Sequence, residues 1–335
     1  MKNNARNPLS PAHQRGVTLV ELMVGMALAM LVAVALLQLL ADTSANGQNV
    51  ARASSQIENG RYAAELLRDD LQLAGYFGEI PVFAAAYSNP SPCAVAATDF
   101  VAAPVTYPPA VQGLASAESV ACLQNRRAGS DALVVRRLNT VPTPVASLSA
   151  ANTQYFVQYS FCVNDPAVLP LVFDKAPVEM VLRNRACTAG NTARAYVSRT
   201  YFIADCNDCS GAGDGIPTLK RLDLVDNTSV ITPLVEGVET LRFEYGFDTN
   251  GDGAVDEFRT ALGTGAAGLW QNVVTLRLHY VVRSVDKVVG SALAGDQTFS
   301  LGGIGTLNVA GDGHVRRAYS TTVPLVNVAG AREQQ

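Results

Sequence analysis

Hydrophobic residues gather in one long run near the start of the chain. Residues 17–41 contain a single charged side chain, Glu21, and are otherwise almost entirely apolar. As a helix rising about 1.5 Å per residue, this run spans roughly 38 Å, more than the roughly 30 Å hydrocarbon core of a bilayer. The pattern therefore predicts one membrane-spanning helix over residues 17–41.

The helical pattern continues beyond the apolar run, but most positions become polar. Gly47 and Gly60 each weaken a helix by about 1 kcal/mol relative to alanine, which indicates bends or close contacts rather than an end. We predict an amphipathic second half of the same helix over residues 42–75. Its apolar side chains recur at helical spacing, at Val50, Ile57, Ala64, Leu67 and Leu71.

Beyond Gly75 the pattern changes to short β-prone runs separated by Pro, Gly, Asn and Ser. An antiparallel sheet fits these runs better than a βαβ alternation, so the predicted class is α+β. Residues 76–335 form the β-rich part, as one domain or two, and residues 84–120 form an insertion within it. The predicted strands are Ala132–Leu138, Tyr155–Val163, Val178–Arg183, Ala195–Ile203, Thr218–Leu224, Thr240–Gly246, Val273–Val282 and Arg317–Val323.

Charge divides the chain at the start of the apolar run. Lys2, Arg6 and Arg15 precede it without any acidic residue, which predicts a cytoplasmic N-terminus and an exported remainder. Without residues 1–16, the chain keeps 22 of its 25 basic residues and all 29 acidic ones, a net charge of 22 − 29 = −7. Nucleic-acid binding is not favoured by this charge.

Six cysteines lie in the predicted exported part, where thiols can be oxidised to disulfides. Six cysteines allow 15 pairings, and the pairing in sequence order is the one with the shortest loops. The candidates are Cys93, Cys122, Cys162, Cys187, Cys206 and Cys209.

A short motif marks the boundary between the basic segment and the apolar run: Arg15-Gly16-Val17-Thr18-Leu19-Val20-Glu21. It resembles the class III leader junction of type IV pilins and pseudopilins, usually Gly-Phe-Thr-Leu-Xaa-Glu. The resemblance implies that residues 1–16 are a leader, that a prepilin peptidase cuts between Gly16 and Val17, and that Val17 is then N-methylated. Valine replaces the usual phenylalanine here. The resemblance also implies a long helix whose amphipathic half packs on a sheet.

Glu21 is a carboxylate at the start of an apolar helix, where a charge costs up to about 3 kcal/mol at the bilayer centre and less near an end. After cleavage the amine of Val17 would lie four residues earlier on the same helix face. In the resembling family, the glutamate also contacts the amine of a neighbouring subunit. The resemblance therefore implies that Glu21 is an assembly residue.

Further motifs resemble the PilW family of minor pilins: Asn59-Gly60-Arg61-Tyr62-Ala63, the segment Leu71-Gln72-Leu73-Ala74-Gly75-Tyr76-Phe77-Gly78, and Arg316-Arg317-Ala318-Tyr319-Ser320-Thr321-Thr322-Val323. The resemblance implies a subunit that helps initiate type IV pilus assembly at the pilus tip, and so contributes to twitching motility and cell adhesion. Implied partners are other minor pilins, the major pilin, the prepilin peptidase and a PilY-type tip adhesin. The implied location is the inner membrane, then the pilus from periplasm to cell surface.

Oxygen-bearing residues alternate around a glycine between positions 248 and 257. The spacing matches the first part of an EF-hand-like loop and predicts a structural Ca²⁺ site, although Arg259 stands where a bidentate glutamate belongs. The alternative is a solvated Asn/Asp/Gly turn. The candidate ligands are Asp248, Asn250, Asp252, the carbonyl of Ala254, Asp256 and Glu257.

No enzyme is predicted. The chain contains no nucleophile elbow, phosphate-binding loop or His-Glu-Xaa-Xaa-His motif. His279 fits a strand pattern and His314 a turn. Cys206-Asn-Asp-Cys209 has the spacing of a redox pair, but it does not open a helix after a strand, so a structural disulfide is favoured.

Two alternatives to a minor pilin stay open at this point. A minor pseudopilin of type II secretion would share the leader and the helix. A membrane-anchored binding protein could share the processing signal alone.

Overall fold

The computed structural model describes residues 16–80, 86–87, 89–94, 106–149, 151–165, 171–225, 228–261, 267–288 and 295–334. The predicted leader up to Arg15, and residues 84–85, 88 and 95–105 of the predicted insertion, lie outside the described residues. The chain divides into two compact units, Met1–Ala51 and Arg52–Gln335. The finer division at residues 16, 41 and 75 stays a prediction.

Helix α1 runs from Leu19 to Gln72, as one continuous element of 54 residues. Leucine, methionine and alanine dominate its first part, and all are good helix formers. It ends before Gly75, whose φ of 73° is the left-handed conformation that commonly closes helices. Among the described residues, α1 alone is long and apolar enough to cross a bilayer, with a mean hydropathy of 2.5 over its most apolar window.

The remaining elements are mostly strands. In chain order they are β1 Ala86–Tyr87, β2 Thr106–Tyr107, β3 Val111–Leu114, β4 Ala132–Leu138, β5 Phe156–Tyr159, β6 Leu171–Asp174, β7 Ala193–Ala204, β8 Thr218–Val225, β9 Thr228–Glu236, β10 Val238–Phe247, β11 Glu257–Arg259, β12 Val273–Arg283, β13 Gln297–Ser300, β14 Thr306–Val309, β15 Arg316–Pro324 and helix α2 Val326–Arg332.

Two larger sheets organise the second unit, and both are antiparallel. One contains four strands in the order β11-β10-β12-β15. The other contains seven strands in the order β3-β4-β7-β5-β6, with β8 pairing with β7 and β9 pairing with β8. β7 is its central strand, because it pairs with three other strands, β4, β5 and β8.

Within the second unit, the end of α1 packs on both sheets in one core. Ala63, Leu67 and Leu71 lie at successive turns on one face of the helix and are fully buried. The side-chain amide of Gln56 donates to the carbonyls of Val282 and Val315. Sheet residues in the same core include Leu133, Val135, Tyr201, Ile203, Phe243, Leu276, Leu278 and Val323.

Gly60 allows the helix to approach the four-stranded sheet closely. A Cβ at this position would overlap the ring of Tyr319, and the Tyr280 hydroxyl donates to the Gly60 carbonyl at 2.8 Å. Tyr319 and Tyr280 stack on each other, with ring centroids 5.2 Å apart. The predicted close contact at this glycine is therefore present.

The predicted α+β class is confirmed, and so are most of the predicted strands. The strand predicted at Val178–Arg183 is wrong: Pro177–Glu179 forms a 3₁₀ turn, and Arg183 makes only an isolated bridge to Gly190. Val178 and Val181 are 74% and 70% exposed, so this apolar run has no sheet to bury it. Pro177 fits the first position of a helical turn, where no N–H is needed.

Candidate functional site

The predicted processing junction lies immediately before the first turn of α1. Gly16, Val17 and Thr18 precede the helix, which begins at Leu19. The Thr18 hydroxyl accepts from the N–H of Glu21 at 3.3 Å, while its carbonyl accepts from the N–H of Leu22 at 3.1 Å. Thr18 is therefore the N-cap, and Thr-Leu-Val-Glu has the sequence of a capping box.

This arrangement leaves the bond between Gly16 and Val17 accessible. Both residues are exposed and non-helical, and open space surrounds the position of a Cβ at Gly16. A peptidase needs an extended substrate segment, and the cap keeps the helix from extending over this bond. Nothing in the described chain requires glycine here, so a requirement for it would come from a processing enzyme. The roles of Gly16 and Val17 stay predictions.

Glu21 lies in the first turn of α1, where a carboxylate interacts favourably with the helix dipole. Its apolar neighbours Leu19, Val20 and Leu22 are 75%, 68% and 55% exposed. An exposed apolar surface of this length indicates burial by lipid or by other protein chains. Within this surface, a single carboxylate provides a specific point for a cationic partner. The assembly role of Glu21 stays a prediction.

Comparison with protein families finds two matching models. Residues 11–37 match the model described as prokaryotic N-terminal methylation motif. Residues 200–327 match the model described as Type IV Pilus-assembly protein W. The chain therefore combines an N-terminal methylation motif with a region similar to Type IV Pilus-assembly protein W. The PilW match extends from the last part of β7 into α2, so it includes residues 200–240, which contain none of the PilW-like motifs given above.

Comparison with solved structures finds a type IV-like pilin from Thermus thermophilus. It is 12% identical in sequence, with a TM-score of 0.37, over 82% of this chain and 97% of that chain. No curated protein matches the chain.

The oxygen-rich loop between β10 and β11 is organised around Asp248, which is fully buried. One of its carboxylate oxygens accepts from the N–H groups of Asn250 and Gly251 at 3.2 and 2.6 Å, and the other accepts from Gly253 at 2.9 Å. The guanidinium of Arg332 donates to this second oxygen at 2.6 Å. A cation from α2 therefore already neutralises the predicted first ligand.

The other predicted ligands make hydrogen bonds within the loop. Asp252 accepts from the N–H of Ala254 at 2.8 Å, and Asp256 accepts from Thr249. Glu257 forms an ion pair with Arg259. In the described part of the chain, no three Asp, Glu, His or Cys side chains converge as a metal site. In this arrangement the residues fit a turn whose buried carboxylate is neutralised by Arg332 better than they fit a calcium site. Calcium binding stays a prediction.

The electrostatics of this loop favour the ionised form of Asp248. Burial raises the pKa of its carboxyl, but the Arg332 guanidinium and the N–H groups of Gly251 and Gly253 outweigh burial and lower the pKa to about 2. Arg332 lies 84 residues along the chain. No local signal in the sequence connects it to the loop.

The six cysteines are paired in sequence order. Disulfides join Cys93 to Cys122, Cys162 to Cys187 and Cys206 to Cys209, which is the pairing with the shortest loops. The first encloses part of the predicted insertion, and the second encloses the segment with the exposed Val178 and Val181.

The two described histidines form part of the fold. His279 is buried in β12, and its Nε2 lies 2.8 Å from a carboxylate oxygen of Glu244. The same carboxylate accepts from Arg277 and from the N–H of Gly303. His314 is buried, with its Nδ1 2.8 Å from the carbonyl oxygen of Ser284.

Proposed function

We propose that this chain is a minor pilin of the PilW family that joins other minor pilins in the complex that initiates type IV pilus assembly, at the pilus tip. The observation that carries the proposal is the combination of the capped junction at Gly16 and Val17, the exposed apolar part of α1 with Glu21, and the PilW match over residues 200–327. The role is structural, with no catalytic step.

The chain would occupy the inner membrane first and the pilus afterwards. Before assembly, α1 anchors it once in the inner membrane with a cytoplasmic leader, and the prepilin peptidase removes residues 1–16 and methylates Val17. The apolar part of α1 then exchanges lipid for the helices of neighbouring minor and major pilins. A PilY-type adhesin is the proposed partner of the exported unit.

Mass spectrometry of the mature chain tests the processing step. The expected product begins at Val17 and carries one additional methyl group on its amine. A chain that begins at unmodified Met1, or one that is cut after residue 41, contradicts the proposal. Adding a Gly16→Glu variant should block cleavage and leave the fold of the second unit unchanged, as measured by near-UV circular dichroism.

Deletion of the gene, followed by complementation, tests the function. Wild type and Glu58→Ala, which removes an exposed carboxylate from the second unit, should restore surface pili and twitching. Glu21→Ala should be present at normal abundance but should not restore them. Loss of enzyme secretion instead of pili favours a type II pseudopilin, and a change in neither favours a membrane-anchored binding protein.

We also propose a structural role for Ca²⁺ at residues 248–257, supported by their alternating oxygen ligands. The ion would have to displace Arg332 from Asp248. Millimolar Ca²⁺ should raise the melting temperature relative to chelator, Asp252→Ala should abolish the shift, and Arg332→Gln should increase it. Identical melting curves in Ca²⁺ and chelator for both wild type and Arg332→Gln rule the ion out.

A further inference from the structure

The disulfide between Cys206 and Cys209 differs from the other two in its surroundings. It closes the loop that follows β7, and the opposite side of this loop leads into β8. Cys206 is buried, whereas Cys209 is partly exposed. Lys220 extends from β8 towards it, and its ammonium group donates to Cys209 Sγ at 3.2 Å and to the Asn207 carbonyl at 2.9 Å.

Lys220 is an unusual cation because it is buried, with 6% exposure, and has no carboxylate in an ion pair with it among the described residues. Removing a cation from water is costly unless an opposite charge compensates it. A disulfide sulfur is neutral and only a weak acceptor. The ammonium group therefore lies beside an atom that can become its counter-ion only when the disulfide is opened.

The acidic side chains of this loop are held by other donors. Asp214 accepts from the N–H groups of Asn207 and Asp208 at 2.9 and 2.8 Å. Asp208 is exposed, and its pKa is lowered by the Ser210 N–H and, to a smaller extent, by Lys220. Glu236 accepts from the Asn207 side-chain amide at 2.7 Å. None of these carboxylates forms an ion pair with Lys220, so the counter-ion position beside the ammonium group is left for a Cys209 thiolate.

We propose that Cys206–Cys209 is a thiol–disulfide exchange site that reacts with a dithiol, and that Lys220 stabilises the Cys209 thiolate of the reduced form. An incoming thiolate attacks the more accessible Cys209 sulfur, and Cys206 leaves and takes up a proton. The second thiolate of the reductant then attacks its own sulfur in the mixed disulfide and releases Cys209 as a thiolate beside Lys220. The reductant becomes a disulfide, the protein gains two electrons, and of the two thiol protons one is on Cys206 and one is in solvent.

The fold can tolerate this opening better than the opening of the other disulfides. Cys206 and Cys209 are 3 residues apart, against 29 and 25 for the other pairs, and the entropy of closing a loop grows with its length. The ends of the loop stay joined by the pairing of Ala204 with Thr218 in β7 and β8. The hydrogen bonds to Asp214 also hold the turn without the disulfide.

Graded reduction of the mature full-length chain in detergent tests the proposal. Dithiothreitol is the probe, iodoacetamide traps the free thiols, and peptide mapping by mass spectrometry identifies them. Cys206 and Cys209 should be alkylated at concentrations that leave the other four cysteines paired and the far-UV circular dichroism unchanged. Simultaneous opening of all three disulfides, or later opening of this one, contradicts the proposal.

The Lys220→Met variant isolates the ammonium group while keeping the side chain's length. At a pH above about 9, where the thiolate form of Cys209 dominates, it should need on the order of tenfold more dithiothreitol to open this disulfide, because one pKa unit of thiolate stabilisation corresponds to a factor of ten. Lys287→Met, which removes an exposed cation, should match wild type. An unchanged reduction midpoint in Lys220→Met overturns the role of Lys220.

A measurement on the reduced wild-type protein keeps the test decisive if Lys220→Met does not fold. The rate of Cys209 alkylation against pH should have its midpoint below the ordinary thiol value of about 8.5, and that of Cys206 should not. A midpoint for Cys209 at or above about 8.5 contradicts the proposal.

Discussion

Apolar side chains on the early turns of α1, such as Leu37, are 66% exposed, whereas Leu67 on a later turn of the same helix is 1% exposed. The early turns have apolar residues on every face, as expected of a helix that other molecules surround. The later turns have one apolar stripe, and the sheets of the second unit cover it. One continuous helix therefore depends on two environments, of which the chain supplies only the second.

The largest expected effect comes from removing Asp70, a buried carboxylate near the end of the apolar stripe of α1. Asp70 accepts from Arg199 at 2.8 Å, from Tyr201 at 2.9 Å and from Arg137 at 3.2 Å. Removing one partner of a buried ion cluster leaves uncompensated charge, so Asp70→Ala should lower the free energy of unfolding by about 3–5 kcal/mol. Chemical denaturation of the mature chain in detergent measures this. The adjacent Asp69 is exposed, and Asp69→Ala should change little.

A leucine pair compares the two environments directly. Leu67→Ala removes a fully buried side chain and leaves a cavity, so the second unit should lose about 2–5 kcal/mol of stability. Leu37→Ala should leave the stability of that unit within about 0.5 kcal/mol of wild type. Equal losses in denaturation of the β-rich unit would show that the early turns also depend on it.

A glycine pair should give effects of opposite sign. Gly60→Ala forces a Cβ into the ring of Tyr319 and should destabilise the second unit by about 1–3 kcal/mol despite alanine's higher helix propensity. Gly47 has open space at its Cβ position, so Gly47→Ala should stabilise the helix by about 1 kcal/mol. Hydrogen exchange of the α1 amides measures both. A stabilising Gly60→Ala would mean that the rings can move away.

The smallest expected effect is an acid sensitivity confined to the second unit. Asp248 has its pKa lowered from 3.8 to about 2, so the ion pair stabilises the fold fully above pH 3.8, and this contribution is lost as pH falls towards 2. The melting temperature of wild type should therefore fall more steeply over this interval than that of Asp248→Asn. Parallel curves for the two proteins would remove Asp248 from the acid response.

Hydrophobic periodicity was enough to predict the elements whose buried side chains recur at regular spacing along the chain. Strand β4 spans Ala132–Leu138 as predicted, and α1 continues past the apolar run as predicted. β9 was missed because Pro233 interrupts its pattern and most of its side chains are exposed. Its pairing with β8 depends on the position of β8 in the sheet, which local patterns do not encode.

The candidate sites also differ in whether the interacting residues are close together in the sequence or far apart. The capping pattern from Thr18 to Glu21 is local, so the sequence identifies the junction. The partners of Asp248 and Cys209 are not local: Arg332 arrives from the last helix, and Lys220 reaches the disulfide through the pairing of β7 with β8. Ligand spacing therefore identified the oxygen-rich loop but not the Arg332 guanidinium that contacts Asp248.

The contacts of α1 with the C-terminal region have a consequence for the order of folding. The amide of Asn327 donates to the carbonyls of Gln72 and Ala74, 255 and 253 residues earlier, and Gln56 reaches Val315 across 259 residues. Contacts so distant in sequence form slowly and only after the intervening chain is available. During synthesis, these contacts of the later turns of α1 must therefore wait until residues 315–327 have been made. A chaperone or the membrane surface that shields residues 52–72 would act in this interval.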